Sequence, residues 1–331
     1  LKSILFFFFF KFNHKKLEIM KKMTKDEVDP ELRKYIISIP NWFITNSFGR
    51  KISYILRRLL LKNKKNNNVK INEICLNNGL ELRIYLPINL KSSAGLLWIH
   101  GGGMVTGDPK DTDILMIDTA DQLGITIVAP RYRHAPENPF PAHLDDCFST
   151  WQWMLDPKCG LSLDKNKIAV GGLSAGGGLA ACLVHKIYDL NGVMPVAQWL
   201  FCPMLDDRTA TLKNLDSIKH YVWNNKLNRF GWSSYLGTDF GTSSVPQYAV
   251  PARRENLSGL PPAWIGIGNI DLFYEEDRKY AQRLQKAGVE VTFIEVPNAF
   301  HGFEIIGNET GLAQKFLGES KQWLKKHLDI N

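Results

Sequence analysis

The chain has 331 residues, 44% hydrophobic and 11% aromatic, enough apolar material for one large core and a covering element. Gly and Pro are frequent without a period, and nothing repeats at roughly 20–50 residues, which excludes collagen-like, low-complexity and solenoid classes. The formal charge of +8 does not describe the body: residues 1–70 carry 17 Lys/Arg against 5 Asp/Glu, and the remainder carries 24 against 28. Basicity is thus confined to an N-terminal arm, read as solvated, and no nucleic-acid partner is expected.

Ile4 to Phe10 is a short apolar run ended by Lys11, far below the roughly 18–20 residues that span a bilayer. Only Lys2 precedes it and no small-residue cleavage site follows, so it does not read as a signal peptide. Residues 1–22 are expected to be an extension without fixed structure, with an interfacial anchor as the rival reading. Asp29-Pro30-Glu31 reads as an N-cap with Pro at the first helical position, opening a helix through about Ser38. A second helix is expected from Arg50 to Lys62, with Ile52, Ile55, Leu56, Leu59 and Leu60 on one stripe. Lys62 to Asn68 is a polar linker. Residues 23–68 are therefore read as N-terminal covering helices.

From residue 70 short apolar runs alternate with helical stretches. Strands are expected at Leu96–Ile99, Ile125–Ala129, Ile168–Val170, Val196–Phe201, Ala263–Ile267 and Val291–Val296. Helices are expected near Asp111–Leu123, Phe140–Leu155, Gly176–Leu190, Glu275–Ala287 and Leu312–Leu328. That alternation predicts an α/β fold with a mostly parallel sheet covered on both faces. Residues 209–237, rich in aromatics, break the rhythm and read as a lid insertion into a core of 69–208 and 238–331. Cys75, Cys147, Cys159, Cys182 and Cys202 never form C-x-x-C, so buried, reduced thiols and a cytoplasmic location are expected.

Gly172-Leu-Ser174-Ala-Gly176 follows one expected strand and opens a helix. In that setting a sharp turn lifts a Ser hydroxyl clear of the sheet, and bulk is excluded at both flanks. His100-Gly-Gly-Gly103 follows another strand. Its glycines, Gly101, Gly102 and Gly103, leave backbone N–H groups open to a developing oxyanion. Gly102 and Gly103, with Ala175 after the nucleophile, are the natural donors. A Ser nucleophile needs a base and an acid that orients it, in the chain order Ser, Asp/Glu, His. Of the four histidines beyond the elbow, His185 sits in the following helix, His220 in the insertion and His327 on the terminal helix. His301 lies in a loop just past a strand, and Asp271 lies likewise beyond Ala263–Ile267, so these complete the candidate set. Glu275, Glu276 and Asp277 are read as caps of the next helix.

Together these motifs, with Tyr132-Arg-His-Ala-Pro-Glu137, Phe140-Pro-Ala142, Gly268-Asn-Ile-Asp-Leu-Phe273 and His301-Gly-Phe303, resemble the hormone-sensitive-lipase-like esterases, bacterial family IV, over most of residues 70–328. The resemblance implies the α/β-hydrolase fold, a two-part lid, hydrolysis of short acyl esters of small molecules, and neither cofactor nor metal. Three positions depart from its pattern: Leu173 where Asp is common, His134 where Leu is, and Gly178 where Asn is. Trp42, Phe43, Tyr221 and Trp223 are candidates for an apolar substrate pocket. Arg133 and Glu137 are read as supports of the loop beneath the oxyanion donors. An amidase or deacetylase on the same residues is the near rival. A binding protein on a retired scaffold would be expected to lose the base, which is present here. A homodimer is compatible with the sequence.

Overall fold

The computed structural model describes residues 23–36, 41–60 and 67–330. Its strands are β1 (Val69–Cys75), β2 (Glu81–Pro87), β3 (Gly95–Ile99), β4 (Thr126–Pro130), β5 (Ile168–Leu173), β6 (Gln198–Phe201), β7 (Ala263–Gly268) and β8 (Val291–Val296). Its helices are α1 (Trp42–Thr45), α2 (Ser47–Leu60), α3 (Asp113–Leu123), α4 (Ala142–Leu155), α5 (Ala175–Asp189), α6 (Asn225–Leu236), α7 (Tyr274–Lys286), α8 (Phe303–Ile306) and α9 (Gly311–His327). The strands form one eight-stranded sheet in the order β1-β2-β4-β3-β5-β6-β7-β8. From β4 to β8 every pair is parallel, while β1–β2 and β2–β4 are antiparallel.

Alternation along the buried strands divides the core between two faces. Leu97 and Ile99 of β3 join Val170, Leu200, Ile265 and the inner faces of α4, α5 and α7. Leu96 and Trp98 join Trp199, Phe201, Trp264 and Phe316, with α3 and α9 behind them. Strands buried on both faces read as unbroken apolar runs, which is why β3 to β7 were legible; β8, at the sheet edge, is only half-buried.

The missed pair, β1 and β2, lies at the sheet edge and carries charges. Arg83 of β2 is fully buried yet matched: it donates to both Asp113 oxygens at 2.9 and 2.7 Å and to Glu73 at 2.7 Å. Tyr85 donates to Asp113 at 2.8 Å. A central charge in an apolar run hides a strand from a pattern search.

The N-terminal expectations need correction. Residues 25–35 form two 3₁₀ turns, Lys25–Glu27 and Arg33–Tyr35, and not one helix. Asp29 Oδ1 accepts the Glu31 N–H at 2.9 Å in an Asx turn, and the Asp29 N–H is drawn to Asn298 O at 2.9 Å. The side chain that was to cap a helix thus closes a local turn, and Val28 and Leu32 are buried. The second helix begins three residues early, at Ser47, where Asn46 Oδ1 caps the Phe48 N–H at 2.9 Å. The expected extension at 1–22 and most of the linker, residues 62–66, lie outside the described residues. Cys147, Cys182 and Cys202 are buried, but Cys75 is exposed; all five are free. Among the described residues no helix is long and apolar enough to cross a membrane.

Candidate active site

The parallel strands deliver their carboxyl ends to one rim. There β5 gives Ser174, β3 gives His100–Gly103, β7 leads to Asp271 and β8 leads to His301. Ser174 has φ 56° and ψ −120°, a backbone that L-residues resist. Its neighbours hold it there: Ser174 N–H donates to Phe201 O at 2.8 Å, and its carbonyl accepts Met204 N–H at 2.9 Å and Gly178 N–H at 3.1 Å. A side chain at Gly176 would overlap the Ile99 carbonyl, and one at Gly172 would overlap Gly176 itself. The two glycines of the motif are thus required by close backbone packing, as the spacing implied.

Ser174 Oγ lies 2.9 Å from His301 Nε2, and His301 Nδ1 lies 2.7 Å from Asp271 Oδ2. The other Asp271 oxygen accepts the Phe273 N–H at 2.9 Å, which fixes the carboxylate plane. All three side chains are buried. Burial opposes protonation of His301, but the Asp271 carboxylate outweighs it and holds the imidazole pKa above its ordinary value. Ser174, His301 and Asp271 are thus brought together in the order and at the strand ends that the sequence indicated.

The glycine loop is built from below. His100 Nδ1 donates to Gly101 O at 2.8 Å, and its ring stacks on Tyr132 at 4.2 Å. Tyr132 OH donates to His100 O at 3.0 Å; Ala135 N–H and His143 Nε2 both donate to Met104 O at 2.9 Å. Burial lowers His143 to about 4, so it stays neutral as a donor. Gly102 has φ 124° and Gly103 has φ 61°, both left-handed. Among the described residues, the N–H groups of Gly102, Gly103 and Ala175 have no acceptor.

Arg133 clamps its loop to α4 through Asp146, at 2.8 Å from Nη2 and 2.9 Å from its own N–H. Glu137 instead pairs with Arg50 of α2 at 3.0 Å, tying the N-terminal helices to the core. The rivals for the acid also separate. Glu275 pairs with Arg278 at 2.7 Å on the surface. Glu276 does not cap its helix: it is buried and accepts Leu205 N–H at 2.7 Å and Asp206 N–H at 3.1 Å. Asp277 is fully buried, and neither of its oxygens has a hydrogen-bond partner among the described residues. Burial raises both carboxyls well above their ordinary range.

The pocket candidates divide. Trp223 is buried with its indole against Gly103. Tyr221 meets Phe300, next to His301, at 6.3 Å between ring centroids, and donates to Met23 O at 2.9 Å. Trp42 and Phe43 stack on each other at 4.0 Å on α1, which meets α6. His220, set aside from the sequence, is coupled electrostatically to both Asp271 and His301. Of the departures, Gly178 has a clear cause: a side chain there would overlap the Met204 carbonyl.

A cavity of about 760 Å³ lies elsewhere, lined by His185, Arg208, Arg253, Arg254 and Arg283 but by none of the triad. Its guanidiniums are already matched by Asp206, Asp207, Asp189 and the carbonyls of Ala252 and Arg254. Cys202, Asp271 and His301 place a sulfur, an oxygen and a nitrogen within 4.8 Å of one another. Both His301 nitrogens are engaged with Ser174 and Asp271, so a cation there would have to break those bonds.

A family model for the alpha/beta hydrolase fold matches residues 96–305, and the chain belongs to that family. Within it, the chain's place is among the hormone-sensitive-lipase-like carboxylesterases. It is 30% identical to Esterase LipI of Mycobacterium tuberculosis over 67% of this chain and 70% of the relative. It is 28% identical to ethyl acetate hydrolase of Pseudomonas putida, over 75% and 79% of the two. The solved structure of a bacterial heroin esterase superposes with a TM-score of 0.83 at 30% identity, covering 92% of this chain and 99% of that one.

Proposed function

We propose that the chain hydrolyses short-chain acyl esters of small molecules through an acyl-enzyme on Ser174. The observation that carries this is the line from Ser174 Oγ through His301 to Asp271, at 2.9 and 2.7 Å. His301 Nε2 takes the hydroxyl proton as Ser174 attacks the ester carbonyl. It then gives that proton to the leaving alcohol, and later takes one from the water that frees the acid. Asp271 fixes the ring with Nδ1–H toward itself and stabilises the imidazolium. The N–H groups of Gly102, Gly103 and Ala175 receive the oxyanion, with Gly101 setting the loop's path; each donor contributes about 3–4 kcal/mol in comparable sites.

Residues 23–68 and the insertion 209–237 act as a two-part lid on the core of 69–208 and 238–331. Support comes from Trp223 against Gly103, the Asn224–Asn41 hydrogen bond at 3.2 Å, and the Arg50–Glu137 pair. The Trp223 indole packed on Gly103 walls the glycine loop on one side, and a lid over the site would favour acyl chains of about two to eight carbons. The relative named ethyl acetate hydrolase, and the solved structure named a heroin esterase, support small ester substrates. A series of p-nitrophenyl esters and matching anilides tests it. Specificity, kcat/KM, should peak by C8 and fall by C12. A rise continuing to C16 would make the chain a lipase, and faster anilide cleavage would make it an amidase.

A further inference from the structure

The mechanism uses one carboxylate, yet a second is buried beside it. Glu304 lies on the first turn of α8, three residues past His301, and is 2% exposed. Its Oε1 accepts the Cys202 thiol at 3.9 Å. Cys202 follows β6, and its sulfur is within 4.8 Å of ligand atoms of both Asp271 and His301. One sulfur therefore stands between Glu304 and the Asp271–His301 pair.

We propose that Glu304 is a positioning residue for His301, whose carboxylate, held by Cys202, adds to Asp271 in stabilising the imidazolium formed during acyl transfer. This rests on the triad reading above. Glu304 faces His301 and Asp271 electrostatically and Cys202 directly. Asp277 of α7 acts on Cys202 and Asp271, and His220 of the insertion acts on Asp271 and His301. Burial raises the Glu304 pKa to about 7, against its own N–H and a charged His301, which lower it. Its charge is therefore present from neutral pH upward, and is drawn out whenever His301 holds a proton.

The sign of the effect follows. Removing a negative charge beside His301 makes the imidazole a weaker base, so the acid limb of kcat/KM moves to lower pH. The plateau kcat falls as well, because the imidazolium is less supported. A side chain that only filled space would lower activity or stability and leave the limb in place.

The test is the pH profile of kcat/KM on a soluble short ester, from about pH 4.5 to 9, for wild type, Glu304→Gln, Cys202→Ala and Asp271→Asn. Glu304→Gln should move the acid limb down by about half to one unit and lower the plateau about three- to tenfold. Cys202→Ala takes away the S–H donor, leaves Glu304 less ionised, and should move the limb the same way by less. It decides the matter if Glu304→Gln does not fold. An unmoved limb in the folded variant, beside a crippled Asp271→Asn, would overturn the role of Glu304 and leave the triad standing. A near-wild-type Asp271→Asn would instead overturn the triad reading beneath it.

Discussion

The indole of Trp223 fills the space a side chain on Gly103 would need: a Cβ there would lie 2.5 Å from Cζ2. The glycine loop is thus set by two constraints at once, a φ of 61° from within and an aromatic wall from the insertion.

Gly103→Ala should therefore lower kcat/KM at least about a hundredfold, because a displaced loop misaims its N–H at the oxyanion. The double variant Gly103→Ala/Trp223→Ala should regain part of that loss, since it frees the wall but not the backbone. Steady-state kinetics on one short ester checks this. No recovery would assign the whole effect to φ.

Asp271→Asn should fall by a few orders of magnitude in kcat with KM little changed, because the carboxylate matters most once His301 is protonated. Glu276→Gln should spare the chemistry and cost stability, because Glu276 receives the N–H groups of Leu205 and Asp206. Kinetics and thermal unfolding of both variants separate the roles. A dead, well-folded Glu276→Gln beside an active Asp271→Asn would move the acid to α7.

Asp277 supplies a pH test of the fold. Its folded pKa is raised well above the ordinary carboxylate value by burial, then by Glu276 and Asp271. A carboxyl raised on folding binds its proton more tightly in the native state, so it costs most stability at high pH and least below about pH 4. With no hydrogen bond to lose, Asp277→Asn should stabilise the protein more at pH 8 than at pH 5. Urea melts at the two pH values check this, and an equal effect at both would show Asp277 to be ionised and partnered.

Much of the fold was legible because parallel strands buried on both faces leave unbroken apolar runs, as at Leu96–Ile99 and Ile265–Ile267. The juxtaposition of Ser174, Asp271 and His301 was legible because chain order and strand ends together single them out from many Ser, Asp and His. What escaped depends on partners distant in sequence. Arg83 is a strand residue only because Asp113 and Glu73 receive it. Asp29 closes an Asx turn onto the Glu31 N–H, and its own N–H goes to Asn298, a partner far away in sequence. Glu276 looked like a helix cap and became an anchor for the segment after β6. Glu304 and Cys202 carried no motif at all, since their meeting needs β6 and α8 brought side by side.

The central claim is that Ser174 is the nucleophile, and covalent labelling tests it most directly. Protein inactivated by an organophosphate ester should carry a single adduct on Ser174 by peptide mass spectrometry, with activity falling in proportion to the label. Ser174→Ala, folded by circular dichroism, should neither label nor hydrolyse. An adduct on another serine, or turnover retained in Ser174→Ala, would contradict the account.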